Sequence, residues 1–117
     1  MDLWTLVSSS DGRLRARIEG DIDLANGRDL VEFLDRLIAE AGEHVEVDLS
    51  GVAFMDSSGL LALLTANRLT AQRGAKLLLV EPSPQVRMLL EHTGCVDVFT
   101  IVSGGSEPSV DGAKAAG

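Results

Sequence analysis

The sequence predicts an α/β domain, with a mixed sheet that opens as an antiparallel hairpin, continues in parallel strands and is covered by three or more helices. Three observations carry that prediction. Strand-like alternation and helix-like periodicity follow one another in the order β-β-α-β-α-β-α-β, and the alternation from the third strand onwards demands right-handed parallel crossovers. The chain has 117 residues, enough for one core and too few for two. Aromatic residues make up 3% of a chain that is 45% hydrophobic, so Leu, Val, Ile and Ala must build the core, as suits a sheet under helices.

Leu3 to Val7 and Arg13 to Glu19 read as two strands, the second alternating Arg13, Arg15 and Arg17 against Leu14, Ala16 and Ile18. Ser10-Asp11-Gly12 is the turn between them, and the shared side of the arginines leaves one face of the hairpin solvated. After Gly20-Asp21-Ile22-Asp23, the apolar residues Leu30, Phe33, Leu34, Leu37, Ile38 and Ala41 recur every three or four positions, giving an amphipathic helix that stops at Gly42. His44 to Leu49 alternates Val45, Val47 and Leu49 against Glu46 and Asp48, a third strand. A second helix runs from Leu60 to about Arg73, apolar in its first turn, polar from Asn67, and stopped by Gly74. Lys76-Leu77-Leu78-Leu79-Val80 is a continuous apolar run, as expected of a central strand covered on both faces or of a strongly buried one. Ser83-Pro84 starts a third helix, with Ser as N-cap and Pro at the first helical position, and Gly94 stops it. Val96 to Val102 is a short edge strand. The domain is thus expected over 1–102, with 103–117 a flexible tail rich in Gly, Ser and Ala.

The formal net charge is −8, and the ten basic residues form no cluster, so nucleic acid and an anionic membrane surface are both repelled. Leu60 to Leu64, the longest apolar stretch, is too short to span a bilayer, and the start Met1-Asp2-Leu3-Trp4 has no signal-peptide pattern. One cysteine, Cys95, makes neither an internal disulfide nor a thiolate metal site, and it reads as a small buried hydrophobe of a cytoplasmic protein. His44 and His92 have no neighbouring ligands at metal spacing, so neither a metal nor a cofactor is expected. Trp4 reads as a packing residue of the first strand.

Chemistry concentrates at Val52-Ala53-Phe54-Met55-Asp56-Ser57-Ser58-Gly59-Leu60, between the third strand and the second helix. Ligands and partners of α/β sheets are met at such junctions, and a helix N-terminus favours a phosphate or other anion. The plainer reading is that Asp56 or Ser57 only caps the helix and Gly59 only lets it start close to the sheet. No P-loop pattern is present. No histidine stands beside Ser57 in the sequence and no Gly-x-Ser-x-Gly elbow occurs, so a serine hydrolase is the least favoured reading.

Val47 to Leu60, with Asp56-Ser57-Ser58-Gly59 at its centre, resembles the signature of the STAS domain, specifically of anti-sigma factor antagonists. Gly20-Asp21-Ile22-Asp23 resembles that family's first loop, and Ser83-Pro84-Gln85-Val86-Arg87-Met88-Leu89-Leu90 with Gly94 and Phe99 resembles its third-helix region. The resemblance implies a single STAS domain acting by partner switching. The unphosphorylated antagonist binds an anti-sigma factor that is also an ATP-dependent serine kinase, which frees a sigma factor; phosphorylation ends the binding, and a serine phosphatase restores it. It implies Ser57 as phosphoacceptor, with Ser58 as neighbour and Asp21, Asp23, Asp56 and Gly59 on the same partner-binding surface. Where the family often has a small residue after Gly-Leu, this chain has Leu61, which bears on the partner's fit and leaves the acceptor in place. Asp23 also reads as a cap of the first helix. An alternative use of the same domain is a scaffold or an anion- or nucleotide-sensing module without a kinase.

Overall fold

A computed structural model describes residues 4–10, 13–41 and 44–103, leaving aside the side chains of 4–6, 10 and 41. The elements are β1 (Trp4–Ser10), β2 (Arg13–Ile22), α1 (Gly27–Ala41), β3 (His44–Met55), α2 (Ser57–Gln72), β4 (Lys76–Val80), α3 (Pro84–His92) and β5 (Thr100–Val102). The five strands described form one sheet in the order β1-β2-β3-β4-β5. β1 is antiparallel to β2, and every later pair is parallel. The predicted mixed sheet and order of elements are therefore what the chain forms. The turn at Asp11-Gly12, the stop at Gly42, the packing of the Trp4 side chain and the tail from 104 onward lie outside the described residues.

The core follows from the two periodicities. Ala16 and Ile18 of β2, Val45, Val47 and Leu49 of β3, and Leu77 and Leu79 of β4 are buried under Leu30, Leu34, Leu37 and Ile38 of α1 and Leu60, Leu63 and Ala66 of α2. Helices α1 and α2 pack side by side across β2, β3 and β4, whereas α3 packs chiefly on β3 through Val86 and Leu90. Arg13, Arg15 and Arg17 alternate with that core. Arg13 and Arg15 meet Glu46 at 3.6 and 3.7 Å, and Arg15 also meets Asp48 at 3.6 Å.

Five boundaries differ from the sequence expectation, each for a physical reason. β1 runs on past Val7 to Ser10, the first residue of the expected turn, because Ser8, Ser9 and Ser10 keep pairing with Arg15, Leu14 and Arg13. β2 runs on to Ile22 because Gly20 takes a φ of +118°, which lets the β2–β3 register shift between Gly20 and Asp21 without ending the pairing. β3 runs on to Met55 rather than stopping at Leu49. The Asp48 carboxylate accepts the Ser50 N–H at 2.9 Å and the Ser50 hydroxyl at 2.7 Å, so the polar Ser50-Gly51 step is held inside the strand. α2 starts at Ser57 instead of Leu60, because its cap lies further upstream than its apolar periodicity shows. β5 starts at Thr100; Val96 to Phe99 belong to a turn closed by Val98 N–H on the Cys95 carbonyl. Cys95 is half-buried against the core rather than fully buried.

Candidate functional site

The site is built where β2 and β3 end and α1 and α2 begin. Asp56 is extended, with φ −104° and ψ −169°, and is the N-cap of α2. Its Oδ1 accepts the N–H of Ser58 at 2.8 Å and of Gly59 at 3.4 Å, while its own N–H donates to the Ile22 carbonyl at 3.1 Å. One residue therefore caps the helix and ties it to the end of β2. This decides between the two capping alternatives of the sequence, since Ser57 is the first helical residue and not the cap. It also changes the electrostatics, because the two N–H groups that an anion would seek at this helix start are already satisfied by a carboxylate.

Ser57 is exposed, and its hydroxyl has no hydrogen-bond partner among the described residues. Ser58 is half-buried and turned to α1, where a Cβ on Gly27 would stand 3.4 Å from the Ser58 Cβ. Gly59 is buried; a Cβ there would stand 2.5 Å from Met55 Cγ and 2.7 Å from Ile22 Cγ2, so the helix seats on the sheet only because this residue is glycine. Its share in the site is therefore the shape of the helix start and not a contact surface.

The loop from β2 to α1 brings the remaining aspartates alongside. Asp21 and Ile22 pair in register with Phe54 and Met55, so Asp21 and Asp23 flank the residue that Asp56 binds. Asp23 does not cap α1. Its carboxylate accepts the Ala25 N–H at 3.0 Å in a turn that precedes the helix. The pin of that turn is Asn26, only 5% exposed, whose Oδ1 accepts the Asp23 N–H at 2.9 Å and whose Nδ2 donates to the Asp21 carbonyl at 2.8 Å. The sequence reading missed Asn26. Its signal was an Asn-Gly pair just ahead of the helical periodicity.

Between the starts of α1 and α2 lies an open groove of about 350 Å³, lined by Leu24, Arg28 and Val31 on one side and Ser58, Leu61 and Thr65 on the other. Leu24 is 81% exposed and Leu61 64%, two apolar side chains left in water at the groove, the second one helical turn from Ser57. Neither histidine joins the site. His44 stands at the opposite end of β3, and His92 in the last turn of α3. Among the described residues no group of His, Cys, Asp and Glu is arranged to hold a metal ion, and no helix is long and apolar enough to cross a membrane.

The STAS domain family profile matches residues 7–110. Over 86% of this chain and 87% of its own length, the anti-sigma F factor antagonist of Paenibacillus polymyxa is 30% identical. The chain belongs to the STAS-domain family of anti-sigma factor antagonists. Among solved STAS structures, an anti-sigma factor antagonist from Mycobacterium paratuberculosis superposes with a TM-score of 0.76 at 25% identity, covering 86% of this chain and 85% of that one. The anti-sigma factor antagonist SpoIIAA in its unphosphorylated form shares the fold (TM-score 0.72, 19% identity, 88% and 91% covered), as does the Bacillus cell fate determinant SpoIIAA in its phosphorylated form (TM-score 0.67, 18% identity, 88% and 95% covered).

Proposed function

We propose that this STAS domain is a cytoplasmic partner switch. Unphosphorylated, it docks onto an anti-sigma factor that is also an ATP-dependent serine kinase and so frees a sigma factor; phosphorylation of Ser57 ends the docking, and a serine phosphatase restores it. The domain does this without catalytic residues or a cofactor of its own. The observation that carries the reading is the contrast between two adjacent serines. Ser57 offers a free hydroxyl on the first turn of α2, whereas Ser58 is turned into the groove against α1. Asp56 precedes the acceptor, Asp21 and Asp23 flank the Ile22 that Asp56 binds, and Leu24 and Leu61 supply apolar area for the partner to cover. The relatives' names and a phosphorylated form of the same fold agree with it.

The switch needs no change of fold. A phosphoserine adds about −1.5 to −2 charge beside Asp56. Buried uncompensated in an interface, that charge costs roughly 3 kcal/mol or more, over a hundredfold in affinity. The alternative of an anion sensor at the same helix start is disfavoured, since Asp56 holds the donors it would use.

Incubation with ATP and candidate anti-sigma kinases, followed by intact-mass measurement, tests the reading. A gain of one phosphoryl group is expected in the parent and in Ser58→Ala, absent in Ser57→Ala, with the kinase complex dissociating as the gain appears. Folded protein that gains no mass with any ATPase-fold anti-sigma kinase of its organism would sink the phosphoswitch and leave the scaffold reading.

A further inference from the structure

Arg28 sits where local electrostatics disfavour a cation. It is the second residue of α1, and Gly27 beside it backs onto Ser58 in the first turn of α2, so Arg28 lies near the positive ends of two helix dipoles. Because α1 and α2 both connect parallel neighbouring strands, the helices run the same way and their first turns stand level. The Arg28 side chain is exposed and, like those of Arg36, Arg68, Arg73 and Arg87, makes no ion pair or hydrogen bond among the described residues; its place at the starts of two helices is what sets it apart. A cation placed against both dipoles without a carboxylate partner breaks a local rule, as residues reserved for another state do.

Ser57 supplies that other state. It precedes Ser58 by about 100° of helix rotation and Leu61 by one turn, so it does not line the groove itself but is the chain neighbour of one lining residue and one turn from another. A phosphate on Ser57 finds the N–H groups of Ser58 and Gly59 already held by the adjacent Asp56, whose charge opposes it. The guanidinium across the groove is the forked cationic donor that lines the same groove, and it suits phosphate geometry. We propose that Arg28 clamps the phosphate of phosphorylated Ser57 within the same molecule, drawing it over Leu61 and closing the groove. The inference rests on Ser57 being the phosphoacceptor. Its consequence is regulatory, because a clamped phosphate both masks the apolar rim and resists the phosphatase.

The test installs phosphoserine at position 57 by codon suppression, without any kinase, and follows its second ionisation by 31P NMR. A neighbouring cation favours the dianion, so the parent's midpoint should lie about half a pH unit below that of Arg28→Ala, with Arg28→Lys in between. Circular dichroism of each variant confirms that the fold is kept. Equal midpoints in the parent and Arg28→Ala would overturn the clamp. That outcome leaves the kinase reading standing, whereas a kinase that never labels Ser57 would overturn the kinase reading and leave this titration interpretable.

Discussion

At the scale of single residues, the site is a set of constraints that exclude one another's alternatives. Asp56 spends its carboxylate on the helix N-terminus, so it presents only part of its charge to a partner, and Ser57 is left with its hydroxyl free. Gly59 shows the cost of the arrangement most directly. Replacing it by Ala brings about 1 kcal/mol of helix propensity at most, less in a first turn. Against that gain, the new methyl meets Ile22, a β-branched side chain with little freedom to move, and Met55, which can yield. Overpacking of this kind costs about 1–3 kcal/mol, so Gly59→Ala should lose about 1–2 kcal/mol net in urea unfolding. A variant as stable as the parent would show that the helix can ride off the sheet, and the close approach would no longer explain the glycine.

At the scale of elements, one hydroxyl adds a polar tie to the apolar packing of α3 on the site strand. Ser83 Oγ donates to the Val52 carbonyl at 2.5 Å and accepts the Val86 N–H at 3.3 Å, so it caps α3 and fastens it to β3. Ser83→Ala leaves both groups without their partner and should cost about 1–2 kcal/mol, with Ser83→Thr recovering most of it. An unchanged urea midpoint in Ser83→Ala would mean that packing of Val86 and Leu90 alone holds the helix. The elements that local chemistry writes plainly were legible in advance: the β2 alternation, the α1 stripe, the apolar β4 run and the Ser83-Pro84 start all fall where their residues put them. What was not legible depends on contacts between distant segments. Residues 50–55 have no clean alternation and become strand because β2 pairs with them through a shifted register. The start of α2 lies three residues before its apolar pattern because a carboxylate defines it, and Asn26 is a pin only once β2 and α1 have met. The aspartates and serines of the site were readable as a motif, but the division of labour between Asp56, Ser57 and Ser58 belongs to the folded geometry.

At the scale of the whole molecule, the proposed switch requires that a charge added at Ser57 leave the fold intact. The chain carries −8, and its described ion pairs lie on β2 and β3, half in solvent, where each contributes at most about 1 kcal/mol. Stability therefore rests on the apolar core, to which the exposed Ser57 does not belong. A negative group at Ser57 gains from the dipole of α2 and loses to Asp56, two effects of similar size and opposite sign. Ser57→Glu should accordingly unfold within about 0.5 kcal/mol of the parent while failing to bind the anti-sigma kinase proposed as the parent's partner. The two measurements must separate for the proposal to stand. A variant that loses binding only in proportion to a large loss of stability would place the switch in the folding equilibrium, and the docking surface at the start of α2 would no longer be needed to explain it.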